Sequence, residues 1–122
     1  MLINLSNHPS KNWSNEQLNI SIQTFGEIID IQFPVIDPAF SENEIVLLAE
    51  EYSHRLFEMI SKSNDKINAV HLMGEFSFTY RLTNILKEKG IKVICSTTQR
   101  NTIIDKDGKK ISEFKFVRFR EY

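Results

Sequence analysis

Short apolar runs and stretches of helical periodicity alternate along this chain. Leu2, Ile3 and Leu5 open it as a first strand, mostly apolar as an internal parallel strand is. After a polar loop, Ser14 and Gln17 stand at capping-box spacing, and Leu18, Ile22 and Phe25 mark one helix face that Gly26 ends. Ile29 and Ile31 alternate with Asp30 and Gln32, which predicts a second, half-exposed edge strand over 27–33. Ser41 and Glu44 repeat the capping spacing, and Ile45, Leu48, Tyr52, Leu56 and Met59 then trace the longest amphipathic helix. Ala69 to Met73 is too short for a helix and too apolar for a surface loop, so it reads as a buried third strand. Helical spacing resumes directly after Gly74 with Phe78, Leu82, Ile85 and Leu86, and stops at Gly90.

A fourth strand is predicted over Ile91 to Cys95, ending in a polar loop Ser96-Thr97-Thr98-Gln99-Arg100. Asp107-Gly108 between two strand-like runs, Thr102 to Lys106 and Ile111 to Tyr122, is a strong hairpin signal. In the last run Phe114 and Phe116 share one parity and Phe119 the other, so either a bulge resets the register or both faces are covered. Three βα units and a closing hairpin predict an α/β fold, a single Rossmann-like three-layer domain over 1–122. Its parallel sheet has the order 2-1-3-4, followed by a C-terminal antiparallel β-hairpin, with helices on both faces.

Composition narrows the function classes. The chain has 122 residues, a net charge of −1 and one cysteine. Length suits one domain with a single core, small enough that a homodimer is expected. The near-neutral charge lacks the footprint of a general DNA or RNA binder, and duplex nucleic acid is not an expected partner. No apolar stretch approaches the ~20 residues of a membrane span, and nothing resembles a signal peptide, so a soluble, cytoplasmic protein is expected. Cys95 falls in an apolar run, with no partner for a disulfide and no thiolate cluster for zinc; it reads as a buried, inert thiol.

The predicted strand order puts the switch point between the first and third strands, where open α/β sheets hold ligands outside the strand carboxyl ends. That brings the loop containing Asn7, His8, Ser10 and Trp13 to the turn Gly74-Glu75-Phe76-Ser77, with Ser96, Thr97, Thr98 and Arg100 completing the rim. Hydroxyls, helix-start amides, an arginine and an aromatic are suited to gripping a phosphate or nucleotide. GxGxxG and Walker patterns are absent, as are metal-ligand spacings, so a site without metal or other cofactor is expected. His8 is the imidazole at this crevice and Glu75 the nearest carboxylate, the candidate pair for proton transfer. Blander readings stand beside these: Gly74 as a βα turn at positive φ, His8 as a residue that orders its loop, and His71 as a hydrogen-bonded core histidine.

The Ser-Asn-His-Pro-Ser loop after strand one, Met-Gly-Glu after strand three, Ser-Thr-Thr-x-Arg after strand four and the closing hairpin resemble the small CRISPR-associated proteins of the CARF (CRISPR-associated Rossmann fold) and ring-nuclease group. The resemblance covers the whole chain as architecture, without matching a catalytic signature residue by residue. It implies a homodimer that binds cyclic oligoadenylate across its two-fold axis. In some members it also implies metal-independent cleavage of that messenger, which would dampen CRISPR antiviral signalling. Asn7 through Ser10, Gly74 through Ser77 and Ser96 through Arg100 would be the ligand loops. Two other readings remain open: a module that binds the cyclic oligonucleotide without turnover, and a nucleoside- or nucleotide-processing enzyme using Glu75.

Overall fold

The computed structural model describes residues 1–122. Five strands, β1 (Leu2–Ser6), β2 (Ile28–Gln32), β3 (Ala69–Met73), β4 (Lys92–Ile104) and β5 (Lys110–Glu121), form one sheet in the order β2-β1-β3-β4-β5. The first four run parallel and β5 is antiparallel to β4. Three helices, α1 (Asn15–Phe25), α2 (Glu42–Ser61) and α3 (Phe76–Glu88), cover the two faces. This is the Rossmann-like three-layer arrangement that the alternating strand and helix patterns predict. No helix is long and apolar enough to cross a membrane.

Local chemistry fixes the helix starts. Ser14 and Ser41 accept hydrogen bonds from the amides of Gln17 and Glu44, as their capping spacing requires. Gly26 and Gly90 take φ of 84° and 77° at helix ends, conformations that side chains with a Cβ disfavour. The larger core lies between the sheet and α2 with α3, where Ile3, Leu5, Val70, Leu72 and Val93 meet Ile45, Leu56, Phe78 and Leu82. A smaller core of Leu2, Trp13, Phe25, Ala69 and Ile94 fills the α1 face.

Three local expectations are corrected. Gly74 has no positive φ; its glycine is needed because a Cβ would stand 2.2 Å from the Phe33 ring. In α1 the deeply buried stripe is Gln17, Ser21 and Phe25, with Leu18 packed against the smaller core and Ile22 exposed, because Gln17 turns inward to reach Ser96. Finally, Ser96 to Arg100 is not a loop. Strand β4 runs unbroken to Ile104, and Thr98, Gln99 and Arg100 pair with Phe116, Lys115 and Phe114. A single long ribbon therefore replaces a short fourth strand plus a separate hairpin. The parity change in β5 is a bulge, marked by the register shift between Thr97 and Thr98.

Candidate functional site

Polar residues at one register cross the sheet. Asp30 on β2 lies beside Asn4 on β1, Asn4 beside His71 on β3, and His71 beside Ile94 on β4, two residues before Ser96 on the same face. Asn4 and His71 are almost wholly buried. Buried polar groups need partners, and here each finds one in the next strand. Asn4 Nδ2 donates to Asp30 Oδ1 at 2.7 Å, His71 Nδ1 lies 2.8 Å from Asn4 Oδ1, and His71 Nε2 lies 2.7 Å from Ser96 Oγ. Gln17 Nε2 on α1 donates to Ser96 Oγ at 3.1 Å.

The directions follow from the chemistry of each group. Asn4 turns its amino group to two acceptors, so its oxygen must receive, and the neutral His71 ring carries its proton on Nδ1. Nε2 then accepts from the Ser96 hydroxyl. The row is a one-way chain of donors from Gln17 through Ser96, His71 and Asn4 to the Asp30 carboxylate. Burial holds the His71 imidazole well below its ordinary range, at about 4, and neighbouring His8 pushes the same way. Burial alone would raise Asp30, but hydrogen bonds from Ser10 and Asn4 outweigh it and keep the carboxylate below its usual value.

The row fastens the loop after β1. The His8 carbonyl receives Asn4 Nδ2 at 2.9 Å and Trp13 Nε1 at 3.0 Å, and the Ser6 hydroxyl lies 3.1 Å away. Ser10 donates to Asp30 through its amide at 3.0 Å and its hydroxyl at 2.6 Å. The backbone is thus held from beneath while the Asn7 and His8 side chains remain exposed at the carboxyl end of β1. A cleft of about 480 Å³ opens beside it, lined by Ser6, Asn7, Pro9, Asp30, Phe33 and Val35 among others.

The sequence-predicted residues divide into groups. Asn7 lines the cleft, and His8 and Ser10 stand on the fastened loop. Trp13 is a wall rather than an open stacking surface: its ring is buried, edge-on to His71 at 5.2 Å, and its N–H is used on His8. Glu75 caps α3, accepting from the amides of Ser77 at 3.0 Å and Phe78 at 2.8 Å. The Ser77 hydroxyl and those amides hold its carboxyl below the usual range, so it stays ionised and is poorly suited to take a proton. Phe76 and Ser77 are exposed at the start of α3, on the β3 side; with Gly74 they do not line the cleft beside β2.

Ser96 belongs to the buried row. Thr97 is bonded to the Arg118 backbone, its hydroxyl donating to that carbonyl at 3.1 Å, and Thr98 pairs with Phe116. Arg100, four residues beyond Ser96 and so roughly 13 Å further along an extended strand, lies over Phe114 and donates to Ser112 at 3.0 Å. It therefore stands on the ribbon and not at the rim of the switch-point crevice. Sequence reasoning did not place Asn4, Gln17, Asp30 and His71 in the site. The available signal was polar residues at matching depth in three otherwise apolar strands.

A protein of Methanocaldococcus jannaschii described as "Uncharacterized protein MJ1673" is 36% identical over 76 residues, covering 60% of this chain. The aligned part spans 59% of that relative's own length. No solved structure matches the chain. The model of the family described as "Uncharacterized protein MJ1673 family" matches residues 1–120, and the chain belongs to that family.

Proposed function

We propose that this chain binds a cyclic oligoadenylate at the carboxyl end of β1 and β3, as a two-fold homodimer, and opens it without a metal. The reading rests on the resemblance to CRISPR-associated Rossmann-fold ring nucleases and on one observation, the fastening of the His8 loop. Four polar side chains, Asn4, Ser6, Trp13 and Asp30, hold a loop whose outward groups have no structural task. A preorganised loop at a switch point is what in-line phosphodiester chemistry needs.

In this reading Asn7 and the exposed start of α3 hold the ligand, and His8 accepts the proton of a ribose 2′-hydroxyl. The 2′-oxygen attacks the adjacent phosphorus, the 5′-oxygen leaves and takes a proton from water, and a 2′,3′-cyclic phosphate remains. Glu75 takes no proton here, because its oxygens are committed to the α3 cap. That commitment also leaves Glu75 unable to serve as a partner for the His8 ring, which favours binding without turnover as the second reading. It weighs against a nucleoside-processing enzyme built on Glu75.

The test is incubation with labelled cyclic oligoadenylates of several ring sizes, with chelator present, followed by chromatography. Linear products are expected; intact but retained ligand assigns the sequestering module, and neither result would remove both.

A further inference from the structure

The bulge in β5 sorts its side chains into two rows. Ser96 pairs with Phe119 and Thr97 with Arg118, but Thr98 pairs with Phe116, so Val117 is the extra residue. Phe114, Phe116 and Phe119 consequently share the α1 face, where the Phe116 and Phe119 rings meet at 5.1 Å. Lys115, Arg118 and Arg120 fall on the opposite face, beside Gln99, Thr97 and Cys95 of β4. None of these three cations is in an ion pair; the molecule's ion pairs are Met1 with Asp65 and Lys62 with Glu58. Their β4 neighbours are uncharged.

Helix α3 lies along that same face. Phe76, Tyr80 and Lys87 form one stripe of it, and Lys87 Nζ donates to the Tyr122 carbonyl at the end of β5 at 2.6 Å. Both elements run in the same direction, each antiparallel to β4. Counting back from that contact, Phe76 lies about 16 Å up the helix and Tyr80 about 10 Å. These heights equal roughly five and three residues of strand, the levels of Val117 and Phe119, so in height along the sheet the two rings come within a residue of Arg118 and Arg120. Phe76 is 91% exposed and Tyr80 63%. The Arg81 guanidinium lies 5.9 Å from the Tyr80 ring.

We propose that this α3–β5 face binds a linear single-stranded oligonucleotide, with phosphates on Lys115, Arg118 and Arg120 and bases stacked on Phe76 and Tyr80. Unpaired cations and open aromatic rings in parallel rows are the recognition pattern for single strands, since every base offers a π-face and every linkage a charge. Charge segregation supports the polyanion: seven of the 15 lysines and arginines lie at or beyond Arg100. The surface lies on the sheet face opposite the His71 row; it shares Phe76 with the α3 start invoked for the cyclic ligand, but its cations and Tyr80 take no part in that reading.

Anisotropy titration of a fluorescein-labelled 12-nucleotide oligouridylate across a potassium chloride series tests it. Three phosphate contacts predict a log–log salt slope of about −2. The Lys115→Ala/Arg120→Ala protein should bind roughly tenfold or more weakly, with the slope falling to about −0.7. Tyr80→Ala should weaken binding by roughly 5- to 100-fold with the slope unchanged. Lys66→Ala, away from the strip, should bind as the unmutated protein does. All these positions are exposed, and equal melting temperatures certify the fold. Absent binding, or binding indifferent to both variants, overturns the proposal. So does equal affinity for labelled polyglutamate with no effect of Tyr80→Ala, which assigns the face to an acidic polypeptide.

Discussion

His71 and Asn4 face each other across the parallel pairing of β1 and β3, and the 2.8 Å bond between His71 Nδ1 and Asn4 Oδ1 joins the buried polar row to the His8 loop. Asn4 is the branch point, because its amino group reaches both the Asp30 carboxylate and the His8 carbonyl. Asn4→Ala should therefore cost about 2–4 kcal/mol in denaturant unfolding, since it strands several buried partners at once. Amide exchange at His8 should accelerate together with that loss. Unchanged loop protection in a destabilised variant would show that the row does not hold the loop.

The same row predicts a pH dependence. An unfolded histidine titrates near 6.5, whereas burial holds folded His71 at about 4. Between those values the unfolded chain binds more protons, so stability is complete above pH ~6.5 and falls as pH drops toward 4. The loss should approach about 3 kcal/mol over the window. Denaturant titrations at pH 7, 5.5 and 4.5 check this, with His71→Gln losing the slope in that range.

Gly74 and Phe33 give a packing test. A Cβ on residue 74 would stand 2.2, 2.3 and 2.7 Å from ring atoms of Phe33, which is itself edge-on to Phe78 at 5.4 Å. Gly74→Ala should cost roughly 1–3 kcal/mol through overpacking. Phe33→Leu in the same chain should return part of it, and strictly additive losses would contradict the contact.

The legible parts of the fold were local. Ser14 with Gln17 and Ser41 with Glu44 announce helix starts because a cap and its amide lie three residues apart. Asp107-Gly108 announces the hairpin because the turn needs a positive φ, 78° at Gly108. The extent of β4 was hidden because Thr98 to Arg100 lie exposed in a two-stranded ribbon, where no alternation of polar and apolar residues is required. The site's row was hidden for a different reason. Residues 4, 30, 71 and 96 meet only through strand register, which sequence spacing does not encode. The face of α1 followed from that row, since Gln17 is buried to reach Ser96.

A homodimer is expected from a ligand crevice that one short chain leaves shallow. Light scattering should give twice the 14.3 kDa chain mass across a concentration series. One chain mass with and without cyclic oligoadenylate would contradict it.

The most direct measurement of the functional account compares His8→Ala with the unmutated protein in single-turnover cleavage and in equilibrium binding of cyclic oligoadenylate. His8 is bound through its backbone while its ring is exposed, so the variant keeps the loop's anchoring bonds. The account predicts a rate reduced by roughly 100-fold or more with affinity changed much less, the pattern of a lost proton acceptor. A full cleavage rate in the variant, or rate and affinity falling together, would contradict that role for His8.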